Sequence, residues 1–176
     1  PGATARLTTT LMLATGILLA GLWAMGIRDG LSIAPVVLSK PEIRLGLGLY
    51  DGMSVIMMLL SVIVAFAAAR TGSCKKRHER LWNISLLLVA AGAVGAFIST
   101  DLFFFYAFHE LALVPTFLMI GILGRGERKI IAWKATIYLA FGSIVLLAGL
   151  LWLIAASGTS SLAFEDLLKT SIPAED

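Results

Sequence analysis

The sequence predicts an all-α fold, a polytopic membrane helix bundle of about five transmembrane helices, and three observations carry that prediction. Of the 176 residues, 59% are hydrophobic and only 14% charged, against about 25% charged in soluble domains. The apolar residues fall into five runs, each long enough at ~1.5 Å per residue to cross a hydrocarbon core of about 30 Å. The positive charge gathers in short turns between alternate runs, a pattern that speaks of topology rather than of nucleic-acid binding. This composition leaves no room for a separate soluble domain, so residues 1–176 read as a single membrane domain. Cys74 is the only cysteine, which excludes an internal disulfide and any cysteine-based metal or iron–sulfur site within the chain. The first residue is Pro1 rather than Met, so the start is either processed or incomplete.

The first span is expected over residues 7–27, preceded by Arg6; its apolar run is longer than the ~7–15-residue core of a secretory signal and no small-residue cleavage site closes it, so it reads as retained. Residues 28–50 turn polar, with Pro35, Pro41, Gly46 and Gly48, and read as an external loop with room for a short interfacial helix. The GLGLYDG stretch within it lacks the glycine spacing and the strand-turn-helix context of a dinucleotide site. The second span, 53–69, is opened by Asp51 and Gly52, with Asp51 or Ser54 available as a helix cap. RTGSCKKRHER, residues 70–80, is a solvated basic loop, and His78 in it receives no role. The third span, 81–100, carries small residues at Ala90, Ala91, Gly92, Ala93, Gly95 and Ala96, a face suited to close helix approach. A very short turn at Asp101 leads to the fourth span, 102–123, so these two form an antiparallel hairpin. GRGERK, residues 124–129, is a second basic turn without the spacing of a phosphate loop. The fifth span covers 130–156 and a polar tail, 157–176, closes the chain.

Five crossings place Arg6, Arg70, Lys75, Lys76, Arg77, Arg80, Arg125, Arg128 and Lys129 on one side, against Arg28, Lys40, Arg44 and Lys169 on the other. That bias predicts that loops 70–80 and 124–129 face the cytoplasm or its equivalent.

The chemistry is expected in the fourth span, LFFFYAFHELALVPTFLMIGIL. Glu110 lies nine residues past Asp101, or roughly 13 Å along the axis and near the bilayer midplane. An ionisable residue at that depth is expensive and points to function. A medium of low dielectric favours a neutral carboxyl and a nearby cation favours an ionised one, so moving a cation switches such a site between holding and releasing a proton. Pro115 cannot donate to the Leu111 carbonyl, which opens a break beside Glu110 where water can bind. Tyr106, at i−4, shares the Glu110 face and offers a hydroxyl. The competing reading of Glu110 is a carboxylate satisfied by a partner helix and used only for packing. His109 points ~100° away and reads equally as a packed or interfacial side chain or as a proton relay. Lys134 either snorkels back to the basic interface or joins Tyr138, at i+4, in a polar line facing inward.

The stretch FISTDLFFFYAFHELALVPTFLMIGILGRGERKIIAWKATIYLAFGS resembles the core of the antiporter-like subunit M of respiratory complex I, the subunit 4 type in mitochondria. The family pattern is carried by Asp101, Leu102, Glu110, Val114, Pro115, Phe117, Gly121, Lys134, Gly142 and Ser143, and Tyr50-Asp51-Gly52-Met53-Ser54 is similar to the family's Asp-Gly-x-Ser helix entry. The resemblance covers about residues 45–165 and implies that Glu110 is the essential membrane glutamate of a proton channel driven by quinone reduction elsewhere in the complex. It implies that Lys134 matches the lysine at the start of the sixth family helix. Glu110 and Lys134 are therefore the candidate proton-carrying residues, and His109, Tyr106 and Tyr138, from their places in the two helices, the candidate modulators of the path. His109 stands where many members have Trp or Phe.

Family members have about fourteen helices, whereas this chain resembles the second to the sixth, so the resemblance implies a fragment or one piece of a split subunit completed by a second chain. It further implies other membrane-arm subunits as partners and an energy-transducing membrane, bacterial plasma or mitochondrial inner. NADH, FMN, iron–sulfur clusters and quinone are expected in the complex, with no cofactor bound by this chain. Two other functions stay open: a subunit of a multisubunit cation/proton antiporter, and a structural membrane scaffold.

Overall fold

In the computed structural model, residues 3–25, 36–39, 42–44, 46–48, 52–71, 78–159 and 161–169 are described. Asp51, Cys74, most of loop 28–50, residues 72–77 of the first basic loop and the last seven residues of the tail lie outside them. The chain runs through α1 (Ala3–Ala24), β1 (Val36–Ser39), β2 (Glu42–Arg44), α2 (Gly52–Thr71) and α3 (Glu79–Ile98). The fourth span then follows in three pieces, α4 (Leu102–Leu111), α5 (Leu113–Leu118) and a five-residue π-helix (Met119–Leu123), before α6 (Arg128–Ser157) and the short α7 (Phe164–Lys169). Among the described residues, five helices are long and apolar enough to cross a membrane, and the chain is a multi-pass, all-α membrane bundle.

The boundaries of four spans fall within a few residues of those expected, because a long apolar run leaves the backbone no alternative to internal hydrogen bonds in lipid. The first starts earlier, at Ala3, and ends at Ala24. Between the first two spans, the described residues form two antiparallel strands rather than an interfacial helix. They pair Leu38 with Ile43 and Ser39 with Glu42, with an irregularity between Val36 and Leu38. The β-branched Val36-Val37 pair and Pro41 explain the difference, since both weigh against a helical turn there.

Each helix packs on its chain neighbour, α1 on α2, α2 on α3 and α3 on α4, while α6 lies against α5 and the π-helix. Met12 and Leu19 of α1, Val55, Met58, Val62 and Ala65 of α2, and Leu86 of α3 form the main apolar core. The expected small-residue face is what joins α3 to α4. A Cβ on Gly92 would stand 2.8 Å from the Phe108 carbonyl oxygen, and one on Gly95 would run into the Phe108 ring. No larger residue fits between these backbones without pushing them apart.

The turn from α3 to α4 is held from both sides. Upstream, Gly48 N donates to Ile98 O (2.8 Å) and Thr100 N to Gly46 O (3.0 Å). Downstream, Leu102 N donates to Leu162 O and Phe164 N to Thr100 O, both 3.0 Å. Between them Asp101, 1% exposed, caps α4 by accepting from Phe103 N at 2.8 Å. The start of the polar tail is therefore partly apolar and structured: Leu162 and Leu167 are buried against Leu102, Phe104 and the end of α6. That helix stops at Gly158, whose φ of 65° suits a residue without a side chain. On α7, the exposed Lys169 donates to Glu165 at 2.7 Å. The hydrogen bond and the charge of that carboxylate hold its ammonium above the usual lysine range.

Candidate functional site

The fourth span is interrupted at Ala112 because Pro115 has no N–H to offer the Leu111 carbonyl. The backbone there is rebuilt locally: Ala112 N bonds to His109 O at 3.3 Å, and Ala112 O accepts both Thr116 N (3.3 Å) and Thr116 Oγ1 (2.7 Å). One turn further the chain widens into the π-helix, which Gly124 N closes on Ile120 O (3.0 Å) and Arg128 ties down through Ile122 O (2.8 Å). Two departures from α geometry thus fall in the half of the span that follows Glu110, and π-turns recur at functional places in helices.

Glu110 is half-buried on the last turn of α4. Its Oε1 accepts a hydrogen bond from Ser143 Oγ, which projects from α6 and is 3% exposed. Tyr106, one turn before Glu110, lies 3.3 Å by its hydroxyl from the same Ser143 oxygen. With Ser143 donating to the carboxylate, the Tyr106 O–H is the donor in the second bond. The result is a run of three polar groups, Tyr106, Ser143 and Glu110, bridging two apolar helices.

Ser143 has the place that Tyr106 alone was expected to fill, and Tyr106 meets the carboxylate through it. Within α6 the inward face is the line Ala132, Thr136 and Ser143, spaced by four and seven residues; Ala132 is 1% exposed and lies across from Gly121. Lys134 and Tyr138 therefore face the other way. Both are exposed in this chain, Tyr138 to 77%, and share the face of α6 opposite that line, the expected Lys134–Tyr138 stripe being formed there and not against Glu110. The reason is packing: small side chains at 121 and 132 let the π-helix and α6 approach, and that contact turns the bulky pair outward. His109 is exposed and stands outside the three-residue run. Among the described residues no group of three His, Cys, Asp or Glu side chains gathers as metal ligands would.

Residues 99–175 match the family described as NADH:quinone oxidoreductase/Mrp antiporter, TM. Over 132 residues the chain is 36% identical to NAD(P)H-quinone oxidoreductase chain 4, chloroplastic, of Ipomoea purpurea, covering 74% of this chain and 26% of that one. The protein of the same name from Nymphaea alba is 34% identical over 131 residues, with the same coverage. The chain spans about a quarter of the length of these curated relatives. Among solved structures, a chain of respiratory complex I from Thermus thermophilus with bound NADH superposes with a TM-score of 0.80 at 27% identity, covering 99% of this chain and 36% of that chain. A chain of the membrane-bound sulfane sulfur reductase, an archaeal respiratory membrane complex, shares the fold at a TM-score of 0.72 and 18% identity, over 95% of this chain and 34% of its own.

Proposed function

Since the chain belongs, over part of their length, to the antiporter-like complex I subunits of the M or chain 4 type, we propose that it is a proton-translocating segment of the membrane arm of an NADH:quinone oxidoreductase. Quinone reduction elsewhere in the complex drives the movement, and NADH, FMN, iron–sulfur clusters and quinone belong to other subunits. Glu110 takes up and releases the proton. Ser143 and Tyr106 present it with hydroxyls that can donate and accept in turn, and the break after Glu110 gives water a place beside it. Lys134, Tyr138 and His109 look outward, so any part they take runs through a neighbouring subunit or the helices that complete the path. The basic loops face the cytoplasm, or the matrix in a mitochondrion.

The observation that carries this reading is the hydrogen-bonded run from Tyr106 through Ser143 to Glu110 in the middle of an apolar span. It is tested in sealed vesicles containing the assembled complex, with quinone reduction and acidification followed together. Glu110→Gln should abolish or sharply reduce protons moved per quinone reduced while the complex still assembles. Acidification at the wild-type ratio would overturn the proposal.

A cation/proton antiporter subunit is the second reading, favoured by the family description, which spans both classes. Copurification decides between them: peripheral subunits with iron–sulfur clusters support the first, small antiporter subunits the second.

A further inference from the structure

Away from Glu110, α1 and α2 leave an almost entirely apolar groove of about 280 Å³ between them, open to the outside of the bundle. Gly16 forms its floor: a Cβ there would touch Val62 at 3.3 Å. Ile17 and Ala20 line one wall, Ile63 and Phe66 the other. A single extended hydrocarbon chain is thin enough to lie along the ~12 Å of this slot from Met12 to Ala20.

The charge at one end says what kind of chain. Gly16 against Val62 sets the antiparallel register, and from that level Arg6 is ten residues away on α1 and Arg70 eight on α2. At standard rise these are about 15 and 12 Å, so the two guanidinium groups start within one turn of the same height. Both also continue the groove's own walls. Arg6 stands seven and eleven residues before Leu13 and Ile17, and Arg70 seven and four after Ile63 and Phe66, spacings that return to the same helix face. Both side chains are exposed, and neither helix contains an acidic residue. Two arginines at the mouth of an apolar slot match a phosphate joined to an acyl chain, because guanidinium forks pair with phosphate oxygens and their stems lie on apolar surface.

We propose that this groove binds an anionic phospholipid of the leaflet facing the basic loops, its phosphate between Arg6 and Arg70 and one acyl chain along Gly16, Ile17, Val62, Ile63 and Phe66. The site has no part in the proton path and would hold the first span against the second.

The test uses the assembled complex reconstituted in membranes of phosphatidylcholine and phosphatidylglycerol, then taken into detergent, with the retained phospholipid identified and counted by mass spectrometry of the intact complex. Wild type should retain phosphatidylglycerol in preference to phosphatidylcholine. Arg6→Gln and Arg70→Gln should each weaken that retention about 5-fold and together about 30-fold. Ala20→Phe, which fills the deep end from an exposed position, should lower it with both arginines present. Unchanged retention in the double variant, or equal retention of the two lipids, overturns the proposal. So does a photo-crosslinker attached at Ile17→Cys that captures a protein chain instead of lipid.

Discussion

Ser143 shows how one hydroxyl changes what a buried acid can do. A hydrogen bond to an ionised carboxylate contributes about 1.5–3 kcal/mol, more than a neutral pair, and the low dielectric between helices makes its loss harder to repair. Ser143→Ala leaves Glu110 Oε1 without its donor and Tyr106 without its acceptor. It should slow proton translocation about tenfold, the equivalent of ~1.4 kcal/mol and close to one such bond, while Ser143→Thr keeps the hydroxyl and most of the rate. Equal rates in the alanine variant, per assembled complex in vesicles, would remove Ser143 from the path. Glu110 itself was legible in the sequence because a carboxylate in a long apolar run has no cheap explanation. Ser143 was legible only as one letter of a family pattern. A serine in a membrane helix ordinarily satisfies itself on its own backbone, as Ser157 does on Ile154 O, and nothing in the local pattern says that this one reaches across to a partner 33 residues earlier.

At the scale of the element, hydropathy predicted a single 22-residue rod where the chain makes an α-helix, a turn, a second α-helix and a π-helix. The proline announced the first break and nothing announced the π-helix, which lies against α6. Pro115→Ala restores an amide facing the Leu111 carbonyl and should make the helix continuous through Ala112. Hydrogen exchange at residues 111–116 should then slow, and proton translocation should fall several-fold if the open backbone beside Glu110 is where water enters. Exchange that slows with no change in translocation would leave the break a merely structural feature. The Lys134–Tyr138 pair teaches a related lesson. An i,i+4 polar pair marks a face of a helix, but which face turns inward is decided by the smallest residues, here Ala132 with Gly121 opposite. The rotation of α6 seen here sets Ala132 against Gly121 and, on the same face, Ser143 against Glu110.

For the molecule as a whole, the order and number of spans followed from the pattern of apolar runs alone, because lipid permits so few backbone solutions. What composition could not supply was how the spans touch. The α3–α4 contact rests on the absence of side chains at Gly92 and Gly95. Gly95→Leu must displace the Phe108 ring and should cost about 1–3 kcal/mol, as overpacking does. That should reduce the yield of complex surviving detergent extraction, whereas a conservative substitution at an exposed position of this chain, such as Ile144→Leu, should leave it unchanged. Equal yields for both would show that the interface has slack. Also invisible beforehand was the clasp around Ser99–Asp101, built from residues 46–48 and 161–164, which approach from opposite ends of the sequence. During synthesis its downstream half is more than fifty residues away when the third span enters the bilayer. The hairpin therefore waits, fastened on one flank only, until the last long helix has been delivered, and ribosomal pausing before that point would strand an unfinished seam at the membrane surface.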